Sequence, residues 1–185
     1  MPHIAVPDGI PGIRSLFANR PAVAQALSLL ADTLLHAPNT LSRGERELIA
    51  AYVSSLNTCT FCHRSHAAIA SCHLGDEGTT VDAVVGDPER APVSNKMKAL
   101  LAIAARVQRG GQFVQDEHIA RARREGATDN EIHDAVLIAA AFCMFNRYVD
   151  GLRAWTPDDL DGYRLRARHV AEHGYTAPAS PVPTT

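Results

Sequence analysis

Several things this chain lacks narrow its chemistry before any motif is considered. None of its 185 residues falls in a run of the ~18 consecutive apolar residues that a spanning helix needs, so no membrane segment is expected. The start, Met1-Pro2-His3-Ile4-Ala5-Val6-Pro7-Asp8, has neither a basic stretch nor an apolar one, so no secretory signal is expected and the protein reads as cytoplasmic. Net charge is only −2, which leaves no basic excess to draw in nucleic acid or a membrane surface. No G-x-G-x-x-G occurs, so neither a nicotinamide nor a flavin cofactor is expected. Nor does any run alternate apolar and β-branched residues for long enough to make a sheet. Against these absences, 46% hydrophobic and 21% charged residues describe an ordinary single domain.

Helical periodicity dominates, so the expected class is all-α. Pro21 at a first helical position, followed by Val23, Leu27, Leu30 and Leu34, predicts one helix. Ser42-Arg43-Gly44-Glu45 and Thr128-Asp129-Asn130-Glu131 have the capping-box form and open two more, the second running through the most apolar stretch. Further helices are expected over 58–73, 94–107, 116–125 and 156–173, with at most a short one over 79–86. Residues 1–20, with three prolines, read as an extended arm that packs on something, 21–173 as the domain, and 174–185 as a mobile tail. Pairs such as Ala50-Ala51 and Ala104-Ala105 allow close helix approach but cover little apolar surface, which favours a homo-oligomer.

Four cysteines in a chain without a secretory signal argue against a disulfide framework. Cys59 and Cys62 form a C-x-x-C, and His66 follows at a spacing that puts all three on one helical face. A helix beginning near Thr58 places Cys59 in the first turn, where free N–H groups and the helix dipole favour a thiolate. His66, one turn beyond Cys62, is within reach of its sulfur. Glu47, on a preceding helix face lined by Gly44, Ala50, Ala51 and Ser54, is positioned to orient an imidazole on a neighbouring helix. Glu47, His66, Cys62 and Cys59 together are the candidate catalytic residues, a proton relay feeding a nucleophile with a second thiol beside it. Cys72 and Cys143 read as buried small side chains. Asn146 reads as a buried helix-to-helix hydrogen bond, an oligomer contact or a substrate contact.

Two rival readings use the same residues. Cys59-Thr60-Phe61-Cys62-His63 also spells C-x-x-C-H, the string of c-type haem attachment, which ordinarily takes place outside the cytoplasm. Zinc would need Cys72 or His73 as well, and on a continuous helix these lie roughly 9 Å along the axis beyond His66. No metal is therefore expected.

The pattern E-x11-C-x-x-C-x-x-x-H resembles the AhpD-like alkylhydroperoxidases of the carboxymuconolactone decarboxylase superfamily, and 141–152 with the N-terminal arm is similar to their peroxidase-related branch. The resemblance implies an AhpD-like helical bundle with hydroperoxide reductase activity. By position, Cys62 corresponds to the cysteine that attacks peroxide, Cys59 to the resolving cysteine, and Glu47 and His66 to the relay. It further implies an external dithiol reductant, either a lipoyl-bearing protein or a thioredoxin-like donor. One departure stands out: relatives often carry His before the second cysteine, where this chain has Phe61. A carboxymuconolactone-decarboxylase-like lyase and a non-catalytic thiol–disulfide switch are the alternative functions.

In energetic terms, tuning the thiol pKa gives a net gain of only about two-fold, because nucleophilicity falls with basicity. Protonating the departing alkoxide contributes more, about 10²–10⁴-fold.

Overall fold

A computed structural model describes residues 1–177, and every regular element among them is helical. In chain order these are α1 (Ile13–Asn19), α2 (Pro21–Leu35), α3 (Arg43–Leu56), α4 (Thr60–Leu74) and α5 (Thr79–Gly86), then α6 (Asn95–Arg109), α7 (Asp116–Arg124), α8 (Asp129–Gly151) and α9 (Leu160–His173). A three-residue helical turn, Gly111–Phe113, joins α6 to α7.

Both predicted capping boxes form. The Ser42 hydroxyl accepts from Glu45 N at 3.2 Å while the Glu45 carboxylate accepts from Ser42 N at 2.8 Å. Thr128 and Glu131 repeat the arrangement at the start of α8. Each box satisfies two amides that would otherwise lack partners at a helix start. The helix predicted from Thr156 begins instead at Leu160, because the Asp159 carboxylate accepts from the amides of Asp161 and Gly162 and so sets the cap there.

The N-terminal arm is not wholly extended. Ile13–Asn19 forms α1, which opens on Ser15 bonding back to the Gly12 carbonyl and buries Leu16. The residues before it lie against the end of α8: His3 N donates to Leu152 O at 3.0 Å, and Gly12 N to Trp155 O at 2.8 Å.

Helix α3 is the centre of the bundle and touches α2, α4, α5, α6 and α8. Gly44 and every residue from Arg46 through Ser54 are buried. Alanines 50, 51, 104 and 139, fully buried, sit among these packed helices. Helix α8 is long and apolar enough to cross a membrane by length and composition, although the 18-residue window concerned is not an unbroken apolar run. Half of that window is buried inside the bundle, as a core helix would be.

Arg46 is 2% exposed and, among the described residues, makes no ion pair with a carboxylate. It donates instead to the carbonyls of Leu34 and Ala37, at 2.9 and 2.8 Å, and so ties the end of α2 to α3 next to Glu47. Removing the guanidinium would strand these carbonyls. Arg46→Ala is therefore expected to cost about 2–4 kcal/mol, read as a lowered urea midpoint.

Candidate active site

Helices α3 and α4 form the frame. Gly44 lets α4 cross closely, since a Cβ there would sit 2.9 Å from Leu74 Cδ2. At the other end of the pair His63 Nδ1–H donates to the Ala51 carbonyl at 3.1 Å. His63 is thus committed to backbone.

Between these two points Glu47 and His66 meet. His66 Nδ1–H donates to Glu47 Oε2 at 2.7 Å, and Glu47 is 1% exposed. The carboxylate therefore fixes the imidazole tautomer and leaves Nε2 as the proton-exchanging nitrogen. The edge of Phe142 on α8 packs against the imidazole, ring centroids 4.5 Å apart.

Cys59 and Cys62 are both free and both buried, at 0% and 5% exposure. Cys59 lies just outside the helix: it is the N-cap of α4, with φ −82° and ψ 93°, and Thr58 before it turns through positive φ. The neighbouring Cys62 first, and then burial and the charge of Asp150, push the Cys59 thiol above the ordinary thiol range. Burial and Cys62 thus oppose the thiolate that the N-terminal position would favour at Cys59.

No hydrogen bond joins His66 to Cys62 among the described residues; the direct contact expected from the one-turn spacing is absent, and the imidazole is drawn toward α3 by Glu47.

Cys62 lies in an apolar cluster with Leu16, Phe61, Val149, Ala154 and Tyr163. Phe61 stacks tilted on Tyr163, with centroids 5.8 Å apart. The arm closes over it at Gly12, where a Cβ would fall 2.1 Å from the Phe61 ring and φ is +56°. Only glycine lets the arm sit this close.

On the Cys59 side, Asn57 donates to Asn146 Oδ1 at 2.8 Å, Asn146 donates to Ser54 Oγ at 3.1 Å, and Gln108 donates to Asn57 Oδ1 at 2.9 Å. Asn146 is thus the helix-to-helix bond among its three readings. Asn57 and Asn146, with Arg147, Asp150 and Gly151, line an open cleft of about 470 Å³. Cys143, half-buried, accepts from Asn57, whereas Cys72 is exposed rather than buried. Among the described residues no group of three or more His, Cys, Asp or Glu side chains is placed to hold a metal.

One site residue escaped sequence reasoning. Tyr175, assigned to the tail, packs against the core, and its hydroxyl donates to Glu47 Oε1 and lies 3.3 Å from His66 Nδ1. Tyr175 N donates to Asp32 on α2 at 2.8 Å. Gly174 and Tyr175 are therefore anchored, while 178–185 of the expected tail lie outside the described residues. Nothing local signals this, because a lone tyrosine among Pro, Ala and Thr looks like the rest of a terminus.

The model of the carboxymuconolactone decarboxylase family matches residues 21–87 and 80–157. Among solved structures, the alkylhydroperoxidase AhpD core of a peroxidase-related protein from Ralstonia eutropha superposes with a TM-score of 0.75 at 26% identity, over 86% of this chain and 82% of that one. A peroxidase-related protein from Silicibacter gives 0.74 at 24%, over 84% and 79%. A protein of unknown function from Agrobacterium tumefaciens gives 0.67 at 22%, over 78% and 97%. These likenesses match the fold; the last two, below a quarter identical, say nothing further. No match is found among curated proteins.

Proposed function

The chain is an AhpD-like member of the carboxymuconolactone decarboxylase family, and from that footing we propose that it is a thiol-dependent reductase of organic hydroperoxides. The observation that carries the reading is the Glu47–His66 pair, whose imidazole is held by the buried carboxylate at 2.7 Å, one and two helical turns from two buried free thiols, Cys62 and Cys59.

In the proposed cycle the Cys62 sulfur attacks the distal oxygen of the hydroperoxide. An S–O bond forms and the O–O bond breaks. His66, holding the proton released by Cys62, gives it to the departing alkoxide, so the products are an alcohol and a Cys62 sulfenic acid. The peroxide gains two electrons and Cys62 loses them. The peroxide itself spans the gap between Cys62 and His66. The Cys59 thiol then attacks the Cys62 sulfenic acid, a disulfide forms and water leaves. An external dithiol, lipoyl-type or thioredoxin-type, exchanges with that disulfide and restores both thiols.

The apolar surroundings of Cys62, where Phe61 stands in place of a histidine, suit an organic peroxide better than hydrogen peroxide. Desolvation around the sulfur also strengthens every charge interaction in the site.

The test is thiol counting on reduced protein before and after one equivalent of cumene hydroperoxide. Wild type is expected to lose two thiols. Cys59→Ser is expected to lose the Cys62 thiol alone and stop at a sulfenic acid that dimedone traps. Retention of all thiols by the wild type would overturn peroxide reduction and return attention to lyase chemistry. Thiol loss without turnover in the presence of dithiol would mark a switch instead of an enzyme.

A further inference from the structure

The Glu47–His66 pair has a third partner supplied by the end of the chain. After α9, Gly174 turns at φ +78°, and a Cβ there would sit 2.3 Å from Asp32 Oδ1, so only glycine brings the segment back this tightly. The turn delivers Tyr175, pinned through its amide to Asp32. The Tyr175 ring stacks near His66, with centroids 6.0 Å apart and planes 19° from parallel.

Resting on the hydroperoxide-reductase reading, we propose that Tyr175 is a positioning residue of the proton relay: its hydroxyl donates to Glu47 Oε1, leaving Oε2 for His66 and limiting how tightly the carboxylate holds the imidazolium proton.

The chemistry follows from the carboxylate's two oxygens. Glu47 is buried, so an oxygen without a donor would stay unpaired. Burial first, and then the charge of Glu47, hold the Tyr175 phenol well above its ordinary range, so it remains a neutral donor throughout the working pH range. A carboxylate with two donors is a weaker base than one with a single donor. A less basic Glu47 stabilises the imidazolium less, so His66 gives its Nε2 proton to the alkoxide more readily during O–O cleavage.

The other charged groups facing these residues are Arg46 on α3 and His73 on α4, both acting with Glu47, and Asp32 on α2 and Arg166 on α9, both acting with Tyr175. Arg43 and His36 stand beside His73, and Arg14 of α1 beside Arg166. Helix α8 packs the uncharged Phe142 ring against His66. None of these is altered by removing one hydroxyl.

The test is Tyr175→Phe in the full chain, which keeps the ring packing and deletes only the donor. Its unfolding midpoint is expected to stay near that of wild type. With cumene hydroperoxide and a dithiol, kcat should fall roughly tenfold or more with KM little changed. The acid limb of kcat/KM should move to higher pH by about one unit, since a carboxylate stripped of a donor binds protons and imidazolium more strongly. An unmoved acid limb, whatever happens to kcat, overturns the proposal in favour of simple packing.

A second readout does not depend on turnover. The His66 imidazole, followed by nitrogen NMR against pH, should titrate at higher pH in Tyr175→Phe than in wild type. If wild type reduces no peroxide, the proposed function fails while this titration still decides the role of Tyr175. An unchanged titration overturns that role.

Discussion

Cys62→Ser is expected to reduce peroxide consumption to background and to lose no thiols when treated with cumene hydroperoxide. A serine hydroxyl is not ionised near neutrality, and its oxygen cannot accept an oxygen atom from the peroxide, so neither the attack nor the sulfenic acid is available. Cys59 cannot substitute. It is fully buried, and with Cys62 gone it still faces desolvation and the charge of Asp150, both of which favour the protonated form. The replacement puts a hydroxyl among Leu16, Phe61, Val149 and Tyr163, so a modest stability loss of about 1–2 kcal/mol is expected alongside the loss of activity. Urea unfolding separates the two effects. Cys72 is exposed and should be replaced by Ser in every variant, so that its own oxidation does not enter the count. Peroxide consumption that persisted in the Cys62→Ser, Cys72→Ser background would place the nucleophile elsewhere and sink the assignment.

Glu47→Gln should produce the second large effect, a fall in kcat of about 10²–10⁴-fold. The amide is close to the carboxylate in size and can still accept from His66 Nδ1, so the imidazole keeps its place. What disappears is the negative charge that stabilises the imidazolium formed when Cys62 gives up its proton. Stability should respond much less, because a neutral His66 can still donate Nδ1–H to the amide oxygen and no unpaired charge is left buried, so the unfolding midpoint is expected to change little. A loss of activity with retained stability is the signature of a relay residue. A matching fall in both would make Glu47 a structural partner of α4 and no more.

These variants also separate what was legible in the residues from what was not. The E-x11-C-x-x-C-x-x-x-H spacing was enough to nominate Glu47, and the structure places it against His66 because Gly44 and the alanines of α3 let α4 lie close. The capping boxes at Ser42 and Thr128 were equally readable, since each is a four-residue pattern with its own hydrogen bonds. Three features were misread for the same reason. Cys59 looked like a helix residue with a favoured thiolate, yet Thr58 turns through positive φ and leaves Cys59 as the cap, where burial and Cys62 push its thiol up. Cys72 looked buried from its residue type alone. Tyr175 looked like part of a tail.

The sequence by itself determined the helical class and most of the helix starts and stops, and it nominated Glu47, Cys59, Cys62 and His66. All of these rest on periodicity, caps and short spacings, which act within a turn or two of the chain. The tertiary structure alone decided that burial and Cys62 raise the Cys59 thiol, that His66 turns to Glu47 rather than to Cys62, and that a tyrosine 128 positions from Glu47 donates to its carboxylate. Those outcomes depend on desolvation and on partners brought together from distant segments. Such effects have no local pattern, because burial and hydrogen-bond competition are properties of the packed chain.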